Sequence, residues 1–190
     1  MAPSPLPGTA SCASWTDTCD HSLERVTMTS TDPTYTASGS RIWVLRSDDE
    51  VYEQRVEYAP GSSFPPMHFH PAQDEHFEIE QGAMTFVVDG EERTAVAGSE
   101  IDIPAGTPHK ARNASADEPA TVRWVTTPAS RSAAFFAIAA RLGDGAGPLE
   151  QAAFASEYRD VFQATGMLGR VIPLVAALAR LLGRRPPQPS

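Results

Sequence analysis

From Arg41 to Thr127 apolar and polar positions alternate in short runs. RIWVLR (41–46), VYEQRVEYA (51–59), HFEIEQ (76–81), AMTFVVD (83–89), ERTAVA (92–97), EIDIP (100–104) and ATVRWVTT (120–127) are rich in Val, Ile, Phe, Tyr, Trp and Thr. A two-residue repeat of this composition suits strands with one buried face. Turn signals separate the runs: PGSS, QG, DG, AGSE, PAGTP and NASADEP. Asp89-Gly90 favours a tight hairpin, because glycine takes positive φ without strain. Seven or more short strands with regular turns predict an antiparallel sandwich or barrel, a mainly β fold.

After Pro128 the period changes. SAAFFAIAARL (132–142), PLEQAAFASEYRDVFQA (148–164) and GMLGRVIPLVAALARLLG (166–183) are rich in Ala and Leu at helical spacing, for instance Leu168, Val171, Ile172, Val175, Leu178 and Leu182. About three helices are therefore predicted, divided by Gly143, Gly145 and Gly147 and by Gly166 and Gly169. The last one is too short to span a bilayer and carries Arg170 and Arg180, so it is expected to pack on the barrel. Residues 1–36 hold few apolar side chains and much Ser, Thr, Pro and Asp, the composition of a disordered tail. The expected organisation is thus a tail over 1–36, a β-barrel over 37–128, a helical extension packed on it over 129–185, and a frayed end over 186–190.

At 190 residues and 41% hydrophobic, the chain suffices for one core. A net charge of −9 argues against nucleic acid or an anionic membrane as partner. Cys12 and Cys19 have no second pair to complete a zinc site and read as two thiols on the tail. The first twenty residues lack a secretory pattern, so a cytoplasmic location is expected. Met28 offers an alternative translation start within the tail.

The chemistry concentrates in PPMHFHPAQDEHFEIEQG, residues 65–82, which holds three of the five histidines. His68 and His70 are two apart, so in an extended strand both rings share a face that could hold one metal ion, with Phe69 on the other. Glu75 has the wrong parity for the same unbroken strand, but the turn residues PAQD can reset the phase. Glu75, Phe77 and Ile79 would then point inward and His76, Glu78 and Glu80 outward. A second stretch, GSEIDIPAGTPHKARN (98–113), supplies His109 after a Pro/Gly turn.

Together the two stretches resemble the paired motifs of the cupin superfamily. The first matches at Gly61, His68, His70, Glu75 and Gly82; the second at Gly98, Pro104, Gly106, His109 and Asn113. One departure is a spacing of six residues rather than five between Gly61 and His68. The resemblance covers residues 37 to 128 and implies a cupin jelly-roll barrel whose metal ligands are His68, His70, Glu75 and His109. It also implies a homodimer, since such barrels often pair through their sheets.

Three imidazoles and one carboxylate suit one divalent transition metal, iron, manganese, nickel, cobalt or zinc. The site charge of +1 and two open positions would polarise an anionic substrate oxygen or bring dioxygen beside it. The expected function is a metal-dependent enzyme, a dioxygenase or a cyclase/isomerase, on an aromatic, polyketide-like or other oxygenated small molecule. Glu75 is the expected catalytic proton carrier. The alternative is a non-catalytic barrel that senses or stores a small molecule. Phe77, Ile79, Met84, Phe86, Ile101, Ile103 and Trp124 are candidate pocket walls, and Phe135 and Phe136 could close one end.

Overall fold

The computed structural model describes residues 32–143 and 145–184. Cys12, Cys19 and Met28, with most of the expected tail and the segment 186–190, lie outside the described residues. The strands are β1 (Tyr35–Ala37), β2 (Ser40–Ser47), β3 (Tyr52–Tyr58), β4 (His68–Phe69), β5 (Asp74–Gln81), β6 (Ala83–Val88), β7 (Glu91–Val96), β8 (Glu100–Ile103), β9 (His109–Asn113), β10 (Ala120–Thr127) and β11 (Gln163–Ala164). The helices are α1 (Ser132–Leu142), α2 (Pro148–Glu157) and α3 (Gly166–Leu181). The fold is mainly β, with three helices after the barrel strands.

Every strand pairing is antiparallel, in a six-stranded sheet ordered β1-β2-β3-β10-β5-β8 and a five-stranded sheet ordered β11-β4-β9-β6-β7. Alternation along β5 buries Glu75, Phe77 and Ile79 and turns His76, Glu78 and Glu80 outward, as the sequence predicts. Between the sheets, Phe77, Ile79, Ile103 and Val122 meet Met84, Phe86 and Ala95. On the outer face Arg123 bridges Glu53 and Glu78, and Arg55 meets Glu80. Such exposed pairs contribute only tenths of a kcal/mol each, so the apolar face carries the sheet.

Each predicted run forms a strand, β1, β9 and β11 go beyond those runs, and the extended strand expected to carry both His68 and His70 is β4, which ends at Phe69. β4 is two residues long, β9 reads HKARN with no apolar repeat, and β1 begins inside the segment assigned to the tail. The second predicted helix is also corrected. α2 stops at Glu157, and residues 158–162 turn back so that β11 can pair with β4. Arg131 holds this turn: it bridges Asp160, donates to the Glu157 carbonyl at 2.6 Å and lies over the Tyr158 ring. Tyr158 and Val161 are thereby buried against Ile138 and Phe154.

The placement of α3 also differs from expectation. It packs on α2 through Ala176 and Ala179 and leaves Leu168, Val171, Leu178 and Leu182 exposed. Small side chains at Ala176 and Ala179 allow this approach, and Gly169 lets the first turn of α3 lie against β11, where a Cβ would clash with the Ala164 carbonyl oxygen. No helix among the described residues is long and apolar enough to cross a membrane. Gln73, 1% exposed, ties the β4–β5 turn to the start of the extension by aiming its amide at the Pro128 and Ala129 carbonyls and the Ser132 hydroxyl.

Gly82 makes the β5–β6 turn at φ +75°, where a Cβ would meet the Pro119 carbonyl oxygen at 2.8 Å. Positive φ and a backbone clash act together there. A Gly82→Ala variant is expected to lose about 1–3 kcal/mol in urea unfolding; an unchanged midpoint would contradict this reading of the turn.

Candidate metal centre

The two sheets converge on four side chains. His68 ends the Pro65–Met67 approach and opens β4, facing His109 of β9 directly across the ladder. His70 follows one residue past the end of β4, where its carbonyl accepts from Gly106 N–H at 2.8 Å. The Pro104-x-Gly106 turn, with Gly106 at φ +78°, thus brings the strand of His109 beside that of His68. Glu75 comes from β5 in the other sheet. His68, His70, Glu75 and His109 are all buried, Glu75 to 2% exposure.

Hydrogen bonds to backbone carbonyls fix each ring. His68 Nδ1 lies 2.8 Å from Pro66 O, His109 Nδ1 2.9 Å from Thr107 O, and His70 Nδ1 2.6 Å from Val161 O. A carbonyl can only accept, so each Nδ1 carries the proton. Each Nε2 then keeps its lone pair when the ring is neutral, the tautomer a metal ligand needs. Potential ligand atoms of the three histidines lie within 4.8 Å of one another, a grouping that could hold a metal ion. Glu75 adjoins that group, with Oε1 3.1 Å from His70 Nε2 and Oε2 2.9 Å from His109 Nε2. Trp124 Nε1 donates to Oε1 at 3.1 Å.

His70 Nε2 and Glu75 Oε2 have no hydrogen-bond partner despite their burial. With all three rings neutral, lone pairs therefore face lone pairs at hydrogen-bonding distance, which a proton on His109 relieves in part and a shared cation relieves at every contact. A borderline divalent ion with three nitrogen ligands and one carboxylate fits this donor set.

Burial pushes His68 down to about 3, helped by the charge of a protonated His109 or His70. His70 is lowered too, chiefly by burial, against the pull of Glu75. At His109 burial also opposes the charge, but hydrogen bonding and attraction from Glu75, with the Thr107 carbonyl, move it upward.

Beyond the histidines opens a cavity of about 700 Å³, walled by Phe64, Phe77, Trp124, Phe135, Phe136 and Phe162. His68, His70 and His109 line its floor, and Tyr58, Ser40 and Ser62 add hydroxyls. Of the candidate walls, Phe77, Trp124, Phe135 and Phe136 border the cavity; Ile79, Met84, Phe86 and Ile103 form the core beneath. Phe162 stacks on His68 at 4.4 Å between ring centres.

His76 stays outside, its Nδ1 2.7 Å from Asp102 on the surface. Asn113 is a strut, donating to the carbonyls of Tyr58, Ala59 and Glu118 and accepting from Ser115 N–H. The role of Trp124 toward Glu75 was legible only as inward parity on the last barrel strand. For Val161 and Phe162 the sequence holds no signal.

These histidines predict a pH dependence for the metal-free protein. The lowered pKa values of His68 and His70 remove stability as pH falls below about 6.5, by up to about 1.4 kcal/mol per pH unit for each histidine. The raised His109 acts oppositely, its contribution being lost as pH rises from about 6.5 through its folded-state value. Urea titrations across pH should show His109→Asn flattening the alkaline limb and His68→Asn the acid limb; unchanged profiles would refute the assignment.

The family described as Cupin domain matches residues 54–126. Probable oxidoreductase virH of Hypocrea virens is 36% identical over 69 residues, 36% of this chain and 31% of that protein. Oxidoreductase iacF of Pestalotiopsis fici is 33% identical over 69 residues, 36% of this chain and 33% of that protein. The chain therefore spans about a third of the length of these curated relatives. Among solved structures, a sugar phosphate isomerase of the cupin superfamily from Silicibacter pomeroyi shows 28% identity at TM-score 0.43, covering 47% of this chain and 59% of that one. With ten motif positions in place, two antiparallel sheets and a family match that spans the histidine cluster, this chain carries a cupin domain.

Proposed function

We propose that this chain is a metal-dependent oxidoreductase in which His68, His70, His109 and Glu75 hold one divalent transition metal beneath a cavity for a flat, oxygenated aromatic or polyketide-like molecule. The observation that carries the reading is the buried convergence of unpartnered lone pairs at the floor of an aromatic-walled cavity. Ring closure or isomerisation would also need a substrate oxygen at the ion. The oxidoreductase names of two partial relatives favour oxidation over these, and dioxygen is the oxidant we propose.

Bound there, a redox-active ion would supply Lewis acidity toward a substrate oxygen and a path for electrons to dioxygen. The chain's own residues do the rest. Phe77, Trp124, Phe136 and Phe162 offer ring faces for stacking and exclude water. Tyr58 keeps its hydroxyl proton, because burial and then the Glu75 charge push its pKa up; it can donate to a second substrate oxygen. Trp124 secures Oε1 of Glu75, leaving Oε2 as the atom able to take a proton from an acidic substrate hydroxyl.

Elemental analysis of the purified protein is expected to find about one equivalent of a transition metal, falling at least tenfold in His70→Ala and His109→Ala. Oxygen consumption with a panel of phenols and 1,3-diketones then tests the reaction. Glu75→Gln at matched metal content is expected to lower kcat by about 10²–10⁴, and Tyr58→Phe to raise KM. Full metal loading without turnover of any panel member would leave a small-molecule binding barrel; no metal after reconstitution would remove the metalloenzyme reading.

A further inference from the structure

The outward side of α3 carries Met167, Val171, Leu174, Leu178 and Leu181, between 42% and 84% exposed. Their spacing alternates four and three residues, the repeat of a helix–helix seam. Leu168 and Leu182 flank the seam, 46% and 60% exposed. At about 100° per residue all seven fall in one arc of about 140°, while Ala176 and Ala179, on another side, bury against α2.

We infer that this face of α3 is the surface on which a second copy of the chain docks. The seven side chains leave roughly 800 Å² of apolar residue surface in water, above the largest patch of an ordinary monomer and about what one partner contributes to a standard interface. Two copies joined by a two-fold axis would thus bury a standard-size area using this face alone.

Other occupants fit less well. An amphipathic helix lying on an anionic membrane has a basic polar face. The charged residues of α3 are Arg170 and Arg180 only, on a chain of net charge −9. Residues 1–31 offer Leu6, Trp15, Leu23, Val26 and Met28, whose spacing lacks the alternating four- and three-residue repeat of the seam. A second α3 presents the same repeat over the same length of about 24 Å. None of the seven side chains lines the cavity.

Sedimentation velocity of the full chain at micromolar concentration tests this. The expected result is a dimer for the unaltered protein and a monomer for Leu174→Glu/Leu178→Glu, with the far-UV circular dichroism and the melting temperature of the folded domain retained. A monomeric unaltered protein, or a dimer that persists in the double variant, would overturn the inference. So would a monomer whose α3 binds vesicles containing phosphatidylserine, which would assign the face to a membrane.

Discussion

Three hydrogen bonds from histidine Nδ1–H to backbone carbonyls organise this molecule. Because a carbonyl cannot donate, each bond sets one tautomer and turns the Nε2 lone pair toward the same point. Two of the carbonyls are local, Pro66 and Thr107, each two residues before its histidine. The third belongs to Val161, 91 residues from His70. With the Glu75 carboxylate pressed among the same nitrogens, the centre is electrostatically incomplete by itself. Deep burial makes that incompleteness specific, since water cannot easily supply the missing charge.

The Val161 carbonyl also gives the C-terminal extension its place. β11 adds a strand beside β4, Thr165 donates its backbone N–H and hydroxyl to Met67 O, and Gln73 secures the first turn of α1. Phe135, Phe136 and Phe162 then roof a cavity whose floor the barrel alone provides. Chemistry and shape are thus divided between two parts of the chain. The residues proposed to hold a metal lie in the cupin barrel, and much of the surface that would select a substrate lies in the extension.

That division bears on the relatives. The family match ends at residue 126, before the roof begins, and the curated relatives share only a 69-residue stretch. Likeness in the barrel therefore says nothing of the residues that roof the cavity. Under the proposed function, substrate choice would depend on Phe135, Phe136 and Phe162, whose ring positions follow from how α1 and the α2–β11 turn dock.

The sequence by itself determined the barrel and its inward-facing donors. A two-residue apolar period marks a strand whether or not its partner is known, and the PAQD turn resets the phase so that Glu75 faces in and His76 out. The spacing of ten motif positions placed His68, His70, Glu75 and His109 at one site, where the fold brings them together. Tertiary structure alone decided the rest. A carbonyl belongs to every residue, so nothing in the letters singles out Val161, and Phe162 became a wall only because α2 ends early and the chain turns back. The apolar repeat of α3 was equally visible in the sequence, yet which side faced the protein was not. Small residues at Gly169, Ala176 and Ala179 allowed the closest approach to their neighbours and left the larger side chains outside. Periodicity is local and survives in the sequence, whereas docking depends on contacts between distant segments that no local pattern encodes.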